Sequence, residues 1–201
     1  ILRELKKDRI RTMWVAETDR SRIQWLEMRG FQPSQQGMLI MQRSLGSHLP
    51  AVDLPDGFQV RPVAGENEVR LRAEASYAAF GSEKPFEDYL QRMLRFMRSP
   101  VYQPGLDLVA VSPEGQFASF CILWPDPVNH VGLFEPVGTH PDFQGRGLGK
   151  AVLASGLHRL RHLGMTHASV CVETDNTPAI RLYESMGFRT SFRLLTFEKP
   201  L

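Results

Sequence analysis

Between residues 141 and 151 the chain reads Pro-Asp-Phe-Gln-Gly-Arg-Gly-Leu-Gly-Lys-Ala, with glycines at 145, 147 and 149. Without a Cβ, each glycine lets the backbone come close to an anion. The apolar run after it, at helical spacing, places the unpaired N–H groups and positive dipole end of a helix behind the loop. Phosphate or pyrophosphate binding is the chemistry this segment suits; a tight strand-to-helix connector is the plain alternative. The magnesium-nucleotide loop needs Gly at 144 and Ser or Thr at 151, where Gln144 and Ala151 stand, so that reading fails twice. The dinucleotide fingerprint G-x-G-x-x-G fails too, because the glycines here run G-x-G-x-G and the loop follows several strands.

Other residues carry chemistry by type and place. Glu135 is a carboxylate within the apolar run Leu133-Phe134-Glu135-Pro136-Val137, where burial is expected to raise its pKa toward a value useful for a base; a sheet carboxylate paired with Arg is the alternative. Tyr183 lies on a helical stripe with Ala179, Leu182 and Met186, which by periodicity alone is a core position. Asn176 suits a helix cap. Glu173 opens the triplet Glu173-Thr174-Asp175. His158 and His162 share one helix at i,i+4 spacing, but no third metal ligand is evident. Cys121 and Cys171 both sit in apolar runs, as reduced buried thiols do.

These groups need elements to hold them. Hydrophobic periodicity and turn residues predict a strand at 58–62, helices at 67–80 and 85–98, and strands at 106–111 and 116–123 joined by Ser112-Pro113-Glu114-Gly115. A loop is expected over 124–130, a strand at 131–138, a helix at 148–163 and a strand at 167–173. A helix from Asn176 or Thr177 to a stop at Gly187 and a last strand follow. The order β-α-α-β-β-β-α-β-α-β implies an α/β (α+β) fold with a mixed sheet and helices on both faces. Pro136, which cannot donate in a ladder, marks a bulge or an edge.

The N-terminal residues echo the C-terminal ones. Glu17-Thr18-Asp19 precedes Ile23-Gln24-Trp25-Leu26-Glu27-Met28-Arg29-Gly30-Phe31. Glu173-Thr174-Asp175 precedes Ile180-Arg181-Leu182-Tyr183-Glu184-Ser185-Met186-Gly187-Phe188. The loop differs by one residue, and Leu2 and Leu5 are spaced like Leu157 and Leu160. The first copy predicts a strand at 13–16, a helix at 21–29 and a strand at 38–42. Its apolar residues Trp14, Trp25, Leu26, Phe31 and 38–41 need a partner, either the rest of this chain or a second chain. Residues 46–57, with two prolines and two glycines, read as a linker. An interaction segment that completes another sheet is a further reading of residues 1–45.

Composition sets the outer bounds. The chain has 201 residues, 42% of them hydrophobic, with 24 Lys+Arg against 22 Asp+Glu and a formal charge of +2. That supports a packed core and gives no broad basic face for nucleic acid. No apolar run approaches the ~20 residues a membrane span needs, and no secretory signal is visible, so a cytoplasmic protein is expected. The sequence opens on Ile1 rather than Met, so residues upstream of it are expected in the native protein.

The pattern Gln144-x-x-Gly147-x-Gly149, the strand and helix order over residues 58–199, and the downstream Asn176, Tyr183 and Gly187-Phe188 together resemble the GNAT N-acetyltransferases. The repeat resembles the tandem type of that family, a duplicated arrangement like that of mycothiol synthase. By this resemblance residues 1–45 are the C-terminal half of a first, degenerate unit and residues 58–201 a complete acetyltransferase domain. The resemblance implies a GNAT fold, a mostly antiparallel central sheet and acetyl-CoA as co-substrate, with no metal. It places the cofactor on Val137, Gly138 and Thr139 of the strand, on Gln144, Gly145, Arg146, Gly147, Leu148 and Gly149 of the loop, and on Asn176. It implies Tyr183 as general acid, since a phenol of pKa ~10 can protonate a thiolate of pKa ~8–9, and Glu135 as base, directly or through water. The implied reaction is direct acetyl transfer to a primary amine, of a small molecule rather than a protein. The acceptor pocket is expected along the two helices after the first strand, with Tyr77, Phe80, Phe86, Tyr89 and Trp124 as candidates. A non-catalytic acyl-CoA-binding module is the alternative. Neither nucleic acid nor membrane is expected as a partner.

Overall fold

The computed structural model describes residues 8–46 and 48–201; Leu2 and Leu5 of the repeat lie outside them. In chain order the elements are β1 (Arg9–Ala16), α1 (Arg20–Met28), β2 (Gln32–Ser44), β3 (Gln59–Pro62), α2 (Val69–Ala79), α3 (Phe86–Met97), β4 (Asp107–Val111) and β5 (Phe117–Asp126). Then come β6 (Val131–Thr139), α4 (Leu148–His162), β7 (His167–Glu173), α5 (Thr177–Ser185) and β8 (Arg189–Pro200). The described chain forms two compact units. One holds the residues up to Arg43 together with Ser169–Leu201; the other is Ser44–Ala168, and β7 crosses the division.

In the first unit β8 runs antiparallel between β1 and β2, with Thr12 opposite Phe197 and Met38 opposite Leu194. Val15, Leu26 and Phe197 are buried together, with Ile23, Phe31 and Leu195 packed on them. Of the apolar N-terminal residues, Leu26 and Phe31 thus pack against Leu195 and Phe197 of β8. Trp14 and Trp25 do not share in this packing. The β1 register slips between Thr12 and Val15, Trp14 takes φ of +64°, and its side chain stays half-exposed. Trp25 is also half-exposed, with the Arg29 guanidinium stacked on its ring.

The repeat is visible in hydrogen bonds. Asp19 accepts from the Arg22 amide at 3.0 Å to cap α1, and Asn176 accepts from the Ala179 amide at 3.2 Å to cap α5. Both helices stop at a glycine of positive φ, Gly30 or Gly187, followed by a phenylalanine whose amide reaches back five residues, Phe31 to Leu26 and Phe188 to Tyr183. The Glu17 carboxylate accepts from the Arg193 amide at 2.9 Å, a structural task.

In the second unit β3, β4, β5 and β6 pair antiparallel in that order. All of β4 and the first seven residues of β5 are buried, which explains their unbroken apolar character. One expectation needs correction: residues 124–126, read as loop, continue β5, with Trp124 opposite Leu133 and Asp126 opposite Val131. The turn is shorter because the Asp126 carboxylate ties it, accepting from the Val128 and Asn129 amides at 2.9 and 3.1 Å. Between Cys121 and Leu123 the β5–β6 register slips, so Glu135 and Pro136 together oppose Ile122. That is the bulge that Pro136 foretells.

Candidate active site

The glycine loop lies wholly in the second unit, at the corner where β6 leads into α4. A short 3₁₀ turn, Pro141–Phe143, follows β6, and the His140 ring accepts from the Asp142 amide to hold its start. Gln144 is extended; Gly145 and Gly147 then have φ of +76° and +81°, the left-handed region that a side chain disfavours. Gly147 is the residue before the first turn of α4. The first helical bond runs from the Ala151 amide to the Gly147 carbonyl. The amides of Gly145 through Lys150 have no acceptor among the described residues. A Cβ placed on Gly145 or Gly147 would meet nothing within 4 Å, so the space beside these amides is open. Leu148 and Phe143 anchor the loop by burial, while Gln144 to Gly147 are exposed.

This row of amides fits a pyrophosphate, which offers acceptor oxygens to N–H donors at a helix N-terminus. Just upstream, Val137, Gly138 and Thr139 are half-buried on β6. Ser119 of β5 donates to the Gly138 carbonyl at 2.9 Å. Gly138 leaves room for the buried Phe120 ring, whose nearest carbon would stand 2.4 Å from an added Cβ. Asn176 and Tyr183 are in the first unit. Asn176 is the α5 cap, and Tyr183 is buried, 5.9 Å between ring centroids from Phe188 in an edge-on pair. Leu26 stands at the matching place on α1 and has no hydroxyl.

Glu135 departs from expectation. Its side chain is exposed rather than buried, at the bulge where Glu135 and Pro136 together oppose Ile122. Among the described residues no arginine pairs with it; its backbone carbonyl accepts from the Trp124 indole at 2.5 Å. Cys121 is fully buried and its thiol pKa is pushed up by desolvation, which leaves it unreactive. Cys171 is only half-buried. The His158 ring lies 2.9 Å from the Pro50 carbonyl, a structural contact.

A cavity of about 280 Å³ opens between α2, α3 and the β5–β6 bulge of the same unit. Phe80, Tyr89, Met93, Phe96, Ile122 and Pro136 supply its apolar wall. Of the aromatics expected there, Phe80 and Tyr89 line it. Tyr77 and Phe86 pack on each other instead, and the Tyr77 hydroxyl donates to the Lys84 carbonyl at 2.8 Å. Trp124 is not among the lining residues; its ring meets that of Phe96 at 6.2 Å between centroids. One residue of this wall, Arg72, belongs to a buried group that the sequence did not announce. Arg72 and Asp107, both without exposure, are joined by two bonds from Nε at 2.9 and 3.1 Å, and the Tyr102 hydroxyl donates to Asp107 at 3.1 Å. Burial pushes the Asp107 carboxyl up against the pull of Arg72; burial and the neighbouring Asp107 push the Tyr102 phenol up, so it stays a donor. An aspartate opening the run Asp107-Leu108-Val109-Ala110-Val111 was the available signal.

The sequence model of the acetyltransferase (GNAT) family matches residues 70–188. The chain belongs to that family. The matched GNAT segment contains the α2–α3 cavity, β6, the glycine loop and the residues up to Phe188. The chain is 33% identical over 175 residues to a mycothiol acetyltransferase from a Nocardioides species, covering 79% of this chain and 59% of that protein. It is 34% identical over 170 residues to a mycothiol acetyltransferase from Acidothermus cellulolyticus, covering 76% and 51%. It thus spans only about half to three fifths of the curated relatives it matches. Among solved structures, a GCN5-related N-acetyltransferase from Sphaerobacter thermophilus shares the GNAT fold with a TM-score of 0.76 at 24% identity, covering 96% of this chain and 59% of that one. A tandem GNAT protein from the clavulanic acid biosynthesis pathway gives 0.74 at 16%, covering 98% and 66%. Among the described residues no helix is long and apolar enough to cross a membrane.

Proposed function

We propose that this chain transfers an acetyl group from acetyl-CoA to the primary amine of a small molecule, with both substrates bound together. The observation that carries the reading is the open row of acceptor-free amides from Gly145 to Lys150, at a helix start, in a chain of the GNAT family. Gln144 to Gly149 hold the pyrophosphate, and the backbone of Val137 to Thr139 holds the pantetheine arm. The Asn176 cap uses Oδ1 alone, which is compatible with a cofactor contact through its amide nitrogen. When bound, acetyl-CoA supplies a thioester whose acetyl group passes to the amine nitrogen, the C–N bond forming as the C–S bond breaks. Tyr183 donates its phenolic proton to the departing sulfur. Glu135, directly or through water, takes the proton the amine gives up; its exposure favours the water-relayed form. The test is free-thiol release from acetyl-CoA across a panel of amines. Release with one class of amine supports transfer. Tight CoA binding with no release from any amine supports a binding module instead.

Two expected results follow from this assignment. Glu135→Gln is expected to remove the acidic limb of the kcat/KM profile while leaving CoA affinity unchanged, since an amide cannot accept the proton. A limb that persists in the pH–rate profile moves the base elsewhere. Calorimetry is also expected to give one CoA per chain. The first copy has Leu26 where the second has Tyr183, and no counterpart of the glycine loop. A ratio near two overturns that expectation.

A further inference from the structure

The Arg72 guanidinium is incompletely used. Its Nε serves Asp107 and its face lies on the Phe120 ring, 3.9 Å from Cζ to the centroid. Nη1 and Nη2 are buried and have no acceptor among the described residues. Each buried donor left unmatched costs about 1–3 kcal/mol, so such an edge is kept where a ligand satisfies it. Arg72 and Ser76, one turn further along α2, form part of the wall of the α2–α3 cavity. The Ser76 hydroxyl is already turned inward, donating to the Arg72 and Ala73 carbonyls at 3.0 and 3.2 Å. A second cation, Arg92, lines the same cavity from α3 and stacks over Tyr89 at 4.8 Å. No acidic side chain is among the lining residues. Asp107, behind the wall, balances one of the two positive charges, so the cavity keeps a net positive character on an apolar lining.

We propose that this cavity seats the carboxylate of an amino-carboxylate acceptor, an amino acid or short peptide with an apolar or aromatic body, against Arg72 and Arg92. A planar guanidinium edge matches a carboxylate with two parallel hydrogen bonds, which a neutral amide or hydroxyl cannot reproduce. Phe80, Tyr89, Met93 and Phe96 suit the apolar body. This assignment rests on the acetyl-transfer reading and names its acceptor class. The transfer balances as above: the acceptor's amine nitrogen exchanges a proton for the acetyl group, and CoA leaves as the thiol.

The test compares L-phenylalanine and L-leucine with their carboxamides, each assayed with acetyl-CoA for thiol release. In parallel, N-acetyl-L-phenylalanine and its amide are titrated into the full chain without cofactor. Carboxylates are expected to exceed amides at least about tenfold in kcat/KM and in affinity. The Arg92→Gln change, at an exposed position, is expected to reduce that preference several-fold through KM. The double change Arg72→Gln with Asp107→Asn, which avoids stranding a buried charge, is expected to abolish it. If the double variant does not fold, the ligand comparison and Arg92→Gln decide alone. Amides that equal carboxylates in both assays overturn the inference while leaving acetyl transfer standing. Carboxylate-selective binding without thiol release from any amine overturns the transfer reading while the anion pocket stands.

Discussion

Gly147→Asp is expected to abolish measurable CoA binding by calorimetry, a loss of at least about a hundredfold. The new carboxylate stands at the residue that opens α4, beside the amides proposed to hold the pyrophosphate. Two like charges ~4 Å apart at a protein surface repel by several kcal/mol before salt screening, enough for a loss of this size. The fold is expected to survive. An added Cβ meets nothing within 4 Å, and aspartate tolerates the left-handed φ of +81° better than most residues. Thermal unfolding close to that of the unsubstituted chain, with binding lost, is the supporting pair of results. Unchanged affinity in a folded variant takes the pyrophosphate away from this loop.

Tyr183→Phe is expected to lower kcat by 10²–10⁴-fold with CoA affinity nearly unchanged. That range is the usual contribution of a positioned proton donor, and corresponds to roughly 3–5 kcal/mol of barrier. Phenylalanine keeps the buried ring and its edge-on pairing with Phe188. Packing is therefore retained, and the unfolding midpoint separates a lost proton donor from a damaged core. A near-normal kcat across the pH range makes Tyr183 a core side chain, the role that Leu26 has on α1.

Much of this was legible in the residues. The periodicity of Ala179, Leu182, Tyr183 and Met186, the cap Asn176 and the stop at Gly187 all act within one or two turns of chain. Local backbone chemistry therefore fixes them before any packing is known. The glycine loop was legible for the same reason. Its acceptor-free groups are main-chain amides, and its φ values are a matter of residue type.

Contacts between distant residues were decided by tertiary structure. Placement of β8 between β1 and β2 joins residues far apart in the chain, and nothing in either segment names its neighbour. Glu135 looked buried because its neighbours are apolar; it stands exposed at a one-residue slip opposite Ile122. Arg72 and Asp107 are 35 positions apart, and their pairing exists only because β4 and α2 are brought together. Residue types and spacing thus determined the loop that can hold a pyrophosphate. The cavity wall came from packing, because Arg72 is held in it by Asp107 and Phe120, which are remote in sequence.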